Sequence, residues 1–98
     1  MEVTITKERL TAIDPNGIPM GYIRFPQIRP GLVTIDSVEV YAPFRSQGIE
    51  NAMMEALLQH LTALSRKAAL RCPFAQDYLQ ANPEWKHILP DSLHFTTY

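Results

Sequence analysis

A long helical pattern lies between two strand-like segments in the middle of this sequence. From about residue 46 or 48 to residue 67, apolar residues recur every three or four positions, as on one face of a helix. This apolar stripe consists of Ile49, Met53, Leu57, Leu61 and Leu64. The preceding segment, Leu32 to Tyr41, is rich in β-branched residues, and the following segment, Ala68 to Phe74, has the length of a strand. This order predicts a β-α-β unit in which the helix is the crossover.

The other segments predict an antiparallel three-stranded meander before the long helix and a short helix after it. Residues 2–13 alternate loosely and fit one strand, or two short strands with a break near residues 7 and 8. Turn-forming residues at 14–17 separate them from a second strand at about 20–25. A short helix is expected from about Gln76 to Gln80. A chain of 98 residues has room for one domain, so we expect a single α+β domain over residues 1–98.

Charge and cysteine content exclude several classes of protein. The net charge is −1, whereas a nucleic-acid-binding domain usually carries a basic surplus. The only cysteine is Cys72, so neither an intramolecular disulfide nor a multi-cysteine zinc site can form, and His60, His87 and His94 lack metal-ligand spacing. The sequence shows neither a membrane-spanning apolar run nor a secretory leader pattern. We therefore expect a cytoplasmic protein with no metal and neither nucleic acid nor membrane as a partner.

The segment from Val38 to Ile49 runs from a strand through a glycine-bearing loop into the long helix. The first backbone N–H groups of a helix have no internal partner, and the helix dipole makes this end partly positive, so it can accept a diphosphate. Arg45 adds a full positive charge, and Gly48 lets a ligand approach the backbone closely. Alternatively, the segment is an ordinary strand-to-helix turn in which Ser46 is the N-cap and Gly48 is merely tolerated.

Two motifs in the sequence resemble the GNAT superfamily of acetyl-CoA-dependent N-acetyltransferases. Residues 45–49, Arg-Ser-Gln-Gly-Ile, match the first five places of motif A in that superfamily. The combination of Cys72-Pro73-Phe74, Tyr78 and the turn at 82–85 resembles a branch of very short GNAT-like proteins. The resemblance covers about residues 22–89. It implies a minimal GNAT-like fold whose central strands splay apart, with acetyl-CoA in the gap as the co-substrate.

The resemblance also implies which residues contact acetyl-CoA. The backbone of Val38, Glu39 and Val40 would pair with the pantetheine arm. Cys72 and Phe74 would lie on the opposing strand near the thioester. The diphosphate would be held by the amides of residues 46–51 with the charge of Arg45 nearby; these residues are Ser46, Gln47, Gly48, Ile49, Glu50 and Asn51.

The sequence departs from the family pattern at two positions. Glu50 stands where motif A has a second glycine or alanine, and its carboxylate would repel a bound diphosphate. A glutamate in the first turn is also favourable for a helix that binds no anion. Ser37 stands where relatives in the short branch often have histidine, which removes one candidate base.

Three residues are candidates for the chemistry of acetyl transfer. Cys72 could take the acetyl group first, or it could simply be a buried thiol that packs as a small apolar residue. Glu39 could act as a general base through a water, or it could be an exposed strand residue. Tyr78 could protonate the departing thiolate, or it could anchor the short helix on the sheet.

The shortness of the chain bears on the acceptor. Larger GNAT enzymes carry a pair of helices between their first strands that help to form the acceptor pocket, whereas residues 14–17 form only a tight turn. An open acceptor side would suit an exposed amine, such as one on a protein or peptide, unless a second subunit of a homodimer closes it. We expect an acetyl-CoA-binding N-acetyltransferase. The alternatives are a GNAT-fold module that has lost catalysis, and a domain that contacts a partner protein without a cofactor.

Overall fold

The computed structural model describes residues 1–90, which form a mixed α+β fold. Its strands are β1 (Glu2–Ile5), β2 (Arg9–Ile13), β3 (Pro19–Arg24), β4 (Gln27–Arg29), β5 (Leu32–Ile35), β6 (Ser37–Val40) and β7 (Lys67–Leu70). Its α-helices are α1 (Ile49–Ala63) and α2 (Pro73–Ala81), and 3₁₀ turns cover Ala42–Phe44 and Pro83–Ile88. The order of meander, long helix, further strand and short helix agrees with the prediction from the sequence.

The strands form two sheets. The chain passes directly from one sheet to the other between β3 and β4 and again between β5 and β6. The first sheet has the order β1-β2-β3-β6 and is antiparallel throughout. The second has the order β4-β5-β7, in which β5 and β7 are parallel as the β-α-β unit requires. The segment predicted as one strand, Leu32 to Tyr41, is interrupted at Asp36, so that β5 belongs to one sheet and β6 to the other.

Helix α1 covers one face of both sheets and supplies the centre of the core. Its inward residues follow the predicted spacing, and all of them are buried: Ile49, Met53, Met54, Leu57, Leu58 and Leu61. Leu64, which the sequence placed on the stripe, lies just beyond the helix and is 51% exposed. Opposite α1, apolar residues alternate along β2, as expected for a strand with one buried face, whereas β5 is buried at all four of its residues. Leu10 on β2 and Ile23 on β3 are opposite each other in the register and fully buried.

Three element boundaries differ from the prediction: the end of α1, the end of β7, and the start of α2, which is Pro73 rather than Gln76. The long helix ends at Ala63 rather than at residue 67, because Ser65 takes a left-handed conformation with φ 56° and turns the chain into β7. Strand β7 ends at Leu70 rather than at Phe74, since the short helix α2 already begins at Pro73. Proline suits this position because the first amides of a helix have no internal partner.

The contact between β3 and β6 depends on Gly21. Gly21 is buried and faces Val40 in the antiparallel register. A Cβ atom at this position would overlap the backbone carbonyl oxygen of Glu39 and would come within 3.1 Å of the Val40 Cα. Only glycine therefore allows β6 to approach β3 this closely, which fixes the position of β6.

Within the residues described, neither helix has the length and apolar character that crossing a bilayer would require.

Candidate functional site

The two sheets part where β5 ends and β6 begins. Strand β7 pairs with β5 but not with β6, and β6 pairs only with β3 over the described part of the chain. The second edge of β6 is thus left facing the region beyond the end of β7. We call this unpaired junction between β6 and β7 the split. It is the splaying of central strands that the sequence resemblance implied.

Asp36 lies at the base of the split and links the strands on both sides of it. Its carboxylate accepts a hydrogen bond from Thr34 Oγ1 at 3.1 Å and forms an ion pair with Arg24 on β3 at 3.3 Å. The guanidinium of Arg71, which follows β7, lies 4.0 Å away. The Asp36 backbone N–H also donates to the Arg24 carbonyl at 2.9 Å. Sequence reasoning missed Asp36, because no motif marks an interruption in a strand.

The register of β6 determines which backbone groups face the split. In antiparallel sheets, residues alternate between pointing their N–H and C=O groups at the partner strand and away from it. The N–H of Tyr41 donates to the Met20 carbonyl of β3, so Tyr41 and Glu39 point toward β3. Val38 and Val40 therefore direct their backbone polar groups into the split. The expected pantetheine contact through the backbone of Glu39 does not fit this register, whereas the contacts through its two neighbours do.

The start of α1 carries a run of unpartnered amides. The N-cap is Gly48, with φ 76°, and no side chain caps the helix. The first helical hydrogen bond runs from Ala52 N–H to the Gly48 carbonyl at 3.2 Å. Among residues 1–90, the backbone N–H groups of residues 46–51 have no acceptor. The alternative in which Ser46 caps the helix is wrong, since Ser46 itself is left-handed with φ 66° and lies two residues before the cap.

The loop before α1 contains left-handed backbone. Two residues within three positions, Ser46 and Gly48, have positive φ. Backbone segments that include left-handed residues form concave arrangements of N–H groups that bind anions. The dipole of the fifteen-residue helix α1 adds partial positive charge at the same point. The residues 46–51, which we call the amide cluster, therefore have the chemistry of an anion site.

Two side chains near the amide cluster carry charge. Arg45 extends from the loop to β6, where its Nε donates to the Val40 carbonyl at 3.2 Å. Glu50 is half-buried in the first turn of α1. The two side chains thus bring opposite charges to the same end of the helix.

Cys72 and Phe74 do not lie on a strand, contrary to expectation. Cys72 is the N-cap of α2, and Phe74 is in the first turn of that helix. The backbone N–H groups of Arg71 and Cys72 both donate to the carbonyl of Ile35, at 3.0 and 3.1 Å. Since Ile35 is the last residue of β5, these bonds place Cys72 at the base of the split. Cys72 is buried, with 8% of the residue exposed.

Tyr78 lies on the same side of the sheets as α1. Its ring packs against that of Phe74, with the centroids 6.3 Å apart. Burial raises the pKa of the Tyr78 phenol above its ordinary value, and the carboxylates of Glu55 and Glu84 raise this pKa further. The phenol therefore keeps its proton at neutral pH.

This pKa shift predicts how the stability depends on pH. Because the pKa of Tyr78 is higher in the folded chain than the value of about 10 in the unfolded chain, its contribution is complete below pH 10 and is lost as the pH rises above it. Urea unfolding between pH 8.5 and 11 should show the wild type losing more stability than Tyr78→Phe across this window. Parallel losses in the two proteins would contradict the shift.

Glu39 lies on the face of the first sheet that is turned away from α1. Side chains alternate along β6, and Val40 is buried under α1, so Glu39 points away from α1 and is exposed. Its register partner is Tyr22, whose ring lies beneath the guanidinium of Arg9 at 4.0 Å. The three candidates for chemistry are therefore distributed: Cys72 at the base of the split, Tyr78 on the α1 side and Glu39 on the far face.

Comparison with known families agrees with this geometry. The profile of a family described as GCN5-related N-acetyl-transferase matches residues 10–88 of the sequence. The chain belongs to the GCN5-related N-acetyltransferase family. The matched region contains both helices, the amide cluster and both sheets apart from β1 and the first residue of β2. The narrower assignment to a short branch marked by Cys72-Pro73-Phe74 stays a prediction.

Several solved structures share this GCN5-related fold. A GCN5-like protein from Staphylococcus aureus superimposes with a TM-score of 0.70 at 16% identity, over 98% of this chain and 96% of that one. Tetrahymena GCN5 gives a TM-score of 0.62 at 17% identity, over 85% of this chain and 60% of that one. A Mycobacterium tuberculosis protein solved in complex with CoA gives 0.55 at 24% identity, over 65% and 40%. None of the curated proteins matches the sequence.

Proposed function

We propose that this GCN5-related chain binds acetyl-CoA in the split and transfers its acetyl group to an exposed amine. The amide cluster would hold the diphosphate, and the backbone of Val38 and Val40 would pair with the pantetheine arm. The thioester would then lie toward the base of the split, near Cys72 and Phe74. We also propose that the protein is cytoplasmic, as expected from the sequence.

The observation that carries the proposal is the coincidence of an unpaired strand edge with a run of free amides. Backbone groups at an unpaired strand edge and at the start of a helix have no partner within their element, so they bind solvent or a ligand. Here the free edge of β6 leads directly into the amide cluster, separated from it only by residues 41–45. Membership of the family and the CoA complex of the M. tuberculosis protein of similar fold support CoA as the ligand.

In the proposed reaction, the acceptor amine attacks the thioester carbonyl carbon, a C–N bond forms and the C–S bond breaks. The amine must lose a proton, and Glu39 could accept it through a water on the far face of the first sheet. The CoA thiolate must gain a proton, and the phenol of Tyr78 on the α1 side retains one at neutral pH. Because these residues lie on opposite sides, one serves the incoming amine and the other the leaving group.

Short connections support an acceptor that is itself exposed. The turn between β2 and β3 is closed by hydrogen bonds to Asp14, whose carboxylate accepts from the backbone N–H groups of Asn16 and Ile18 at 2.8 and 2.9 Å. The link between β1 and β2 has only three residues. Neither connection contains a helix that could form one side of an acceptor pocket. We therefore propose an amine on a protein or peptide as the acceptor. The alternative is that the second subunit of a homodimer closes the acceptor side.

The experiment that tests the function combines CoA binding with acetyl transfer. Calorimetry should show saturable CoA binding, and CoA at 100 times its Kd should stabilise the fold by about 2.7 kcal/mol. For a domain of this size that is a rise in Tm of roughly 10–20 °C. Acetyl-CoA with a panel of peptide amines should then yield acetylated product, and Tyr78→Phe should lower kcat while leaving the Kd of CoA unchanged. Binding without transfer would favour the module that has lost catalysis, and no CoA binding would favour a protein-interaction domain.

Glu50 is expected to weaken this binding. Its carboxylate stands in the first turn of α1, where the diphosphate would lie, so Glu50→Gly should bind CoA more tightly than the wild type. Glu50→Gln is the matched control, because it removes the charge but keeps a side chain suited to a helix. Both variants should gain affinity if charge repulsion is the cause. Equal affinities in all three proteins would show that Glu50 does not face the diphosphate.

A further inference from the structure

Arg45 covers one of the backbone acceptors at the edge of the split. Its Nε donates to the carbonyl oxygen of Val40 at 3.2 Å, and the register of β6 points this carbonyl away from β3. Val40 is 5% exposed whereas Arg45 is exposed, and the bond between them is part-buried. The contact uses the same acceptor that the proposed function assigns to the pantetheine arm.

The backbone of Arg45 also adjoins the amide cluster. Arg45 immediately precedes Ser46, the first residue of that cluster. A diphosphate bound there would compete with the Val40 carbonyl for the guanidinium. The attraction between two full charges, and the two N–H donors that a guanidinium can offer to one phosphate, favour the diphosphate over the single neutral carbonyl. A bound diphosphate would therefore draw Arg45 away from Val40.

We propose that Arg45 determines which acyl donors the split accepts. A donor with a diphosphate releases the Val40 carbonyl by attracting the guanidinium, and its pantetheine arm can then pair with that carbonyl. A pantetheine thioester without phosphate must displace Arg45 from the Val40 carbonyl, and it offers no anion to bind the guanidinium in exchange. Arg45 thus selects CoA-type donors over pantetheine that lacks the diphosphate. This inference rests on the proposed function.

Two substitutions distinguish this exchange of partners by Arg45 from a purely electrostatic attraction between Arg45 and the diphosphate. Arg45→Ala removes both the charge and the donor to Val40. Arg45→Gln removes the charge, but its side-chain amide nitrogen is separated from Cα by the same number of bonds as the arginine Nε. Glutamine can therefore still donate to the Val40 carbonyl. Because Arg45 is exposed, both variants should fold, which the Tm of the unliganded proteins checks.

The test measures the Kd of CoA and of free pantetheine for the three proteins. Both variants should bind CoA more weakly than the wild type. Arg45→Ala should bind pantetheine about threefold to tenfold more tightly, which is the range expected for releasing one hydrogen bond of average net strength. Arg45→Gln should bind pantetheine as the wild type does.

The outcomes distinguish this inference from the proposed function. If the wild type binds CoA and Arg45→Ala binds pantetheine no more tightly than the wild type, including no detectable binding, Arg45 is only an anion contact and the exchange is overturned. An equal gain for pantetheine in both variants would overturn it too, since the glutamine donor should prevent that gain. If the wild type does not bind CoA at all, the proposed function itself fails.

Discussion

Replacing Gly21 with alanine should destabilise this protein more than any other single added methyl group. The new Cβ would overlap the Glu39 carbonyl oxygen, so β3 and β6 would have to separate. Forced overpacking of a well-packed site costs about 1–3 kcal/mol, and here the obstacle is backbone rather than a flexible side chain. We expect the free energy of unfolding, measured with urea, to fall by about 2–3 kcal/mol, which is at the upper end of that range. The affinity for CoA should fall as well, because β6 forms one wall of the split.

Gly17→Ala provides the control for the added methyl group. Gly17 lies in the turn between β2 and β3 with φ 83°, and an added Cβ there would meet nothing within 4 Å. Only its left-handed conformation opposes substitution, at a cost of about 1–2 kcal/mol. If Gly21→Ala loses no more stability than Gly17→Ala, the close approach of β6 to β3 is not a requirement of the fold.

Replacing Gly48 with alanine should have the largest effect on ligand binding. Gly48 is the N-cap of α1, and the proposed diphosphate would approach its backbone directly. The unliganded chain has nothing within 4 Å of an added Cβ, so the stability should fall only by the strain of a left-handed alanine, about 1–2 kcal/mol. The Kd for CoA should rise tenfold or more, because the methyl group would occupy the space of the anion.

Gly31→Ala is the matched control for this effect. Gly31 also has positive φ, at 81°, and also has open space at its Cβ position, but it lies in the turn between β4 and β5. It should lose similar stability and bind CoA as the wild type does. Calorimetry on both variants decides the matter, and an equal change in Kd would mean that CoA affinity follows stability rather than contact with Gly48.

The sequence predicted the parts of this fold that depend on local patterns. The apolar stripe from Ile49 to Leu61 identified α1, and the β-branched residues before it identified the central strands. The glycine-bearing loop pointed to the helix start and its amides, which have no acceptor among the residues described. These features can be predicted from the sequence because helix periodicity, strand composition and turn residues act over a few neighbouring positions.

The sequence could not predict features that arise from contacts between distant segments. Leu32 to Tyr41 has an uninterrupted strand composition, and its division at Asp36 depends on partners in β3 and after β7. The role of Gly21 depends on how closely β6 approaches, which a single sequence does not encode locally. The strand predicted for Cys72 and Phe74 is wrong because Pro73 begins a helix.

The most direct measurement of the proposed site is a titration of ¹⁵N-labelled protein with CoA, followed by amide NMR. Binding in the split should give saturable shifts for residues 46–51 and for Val38 and Val40, while the amides of the β1–β2 hairpin stay unchanged. Shifts that do not saturate, or that leave the start of α1 unaffected while other residues respond, would contradict binding of the diphosphate at these amides.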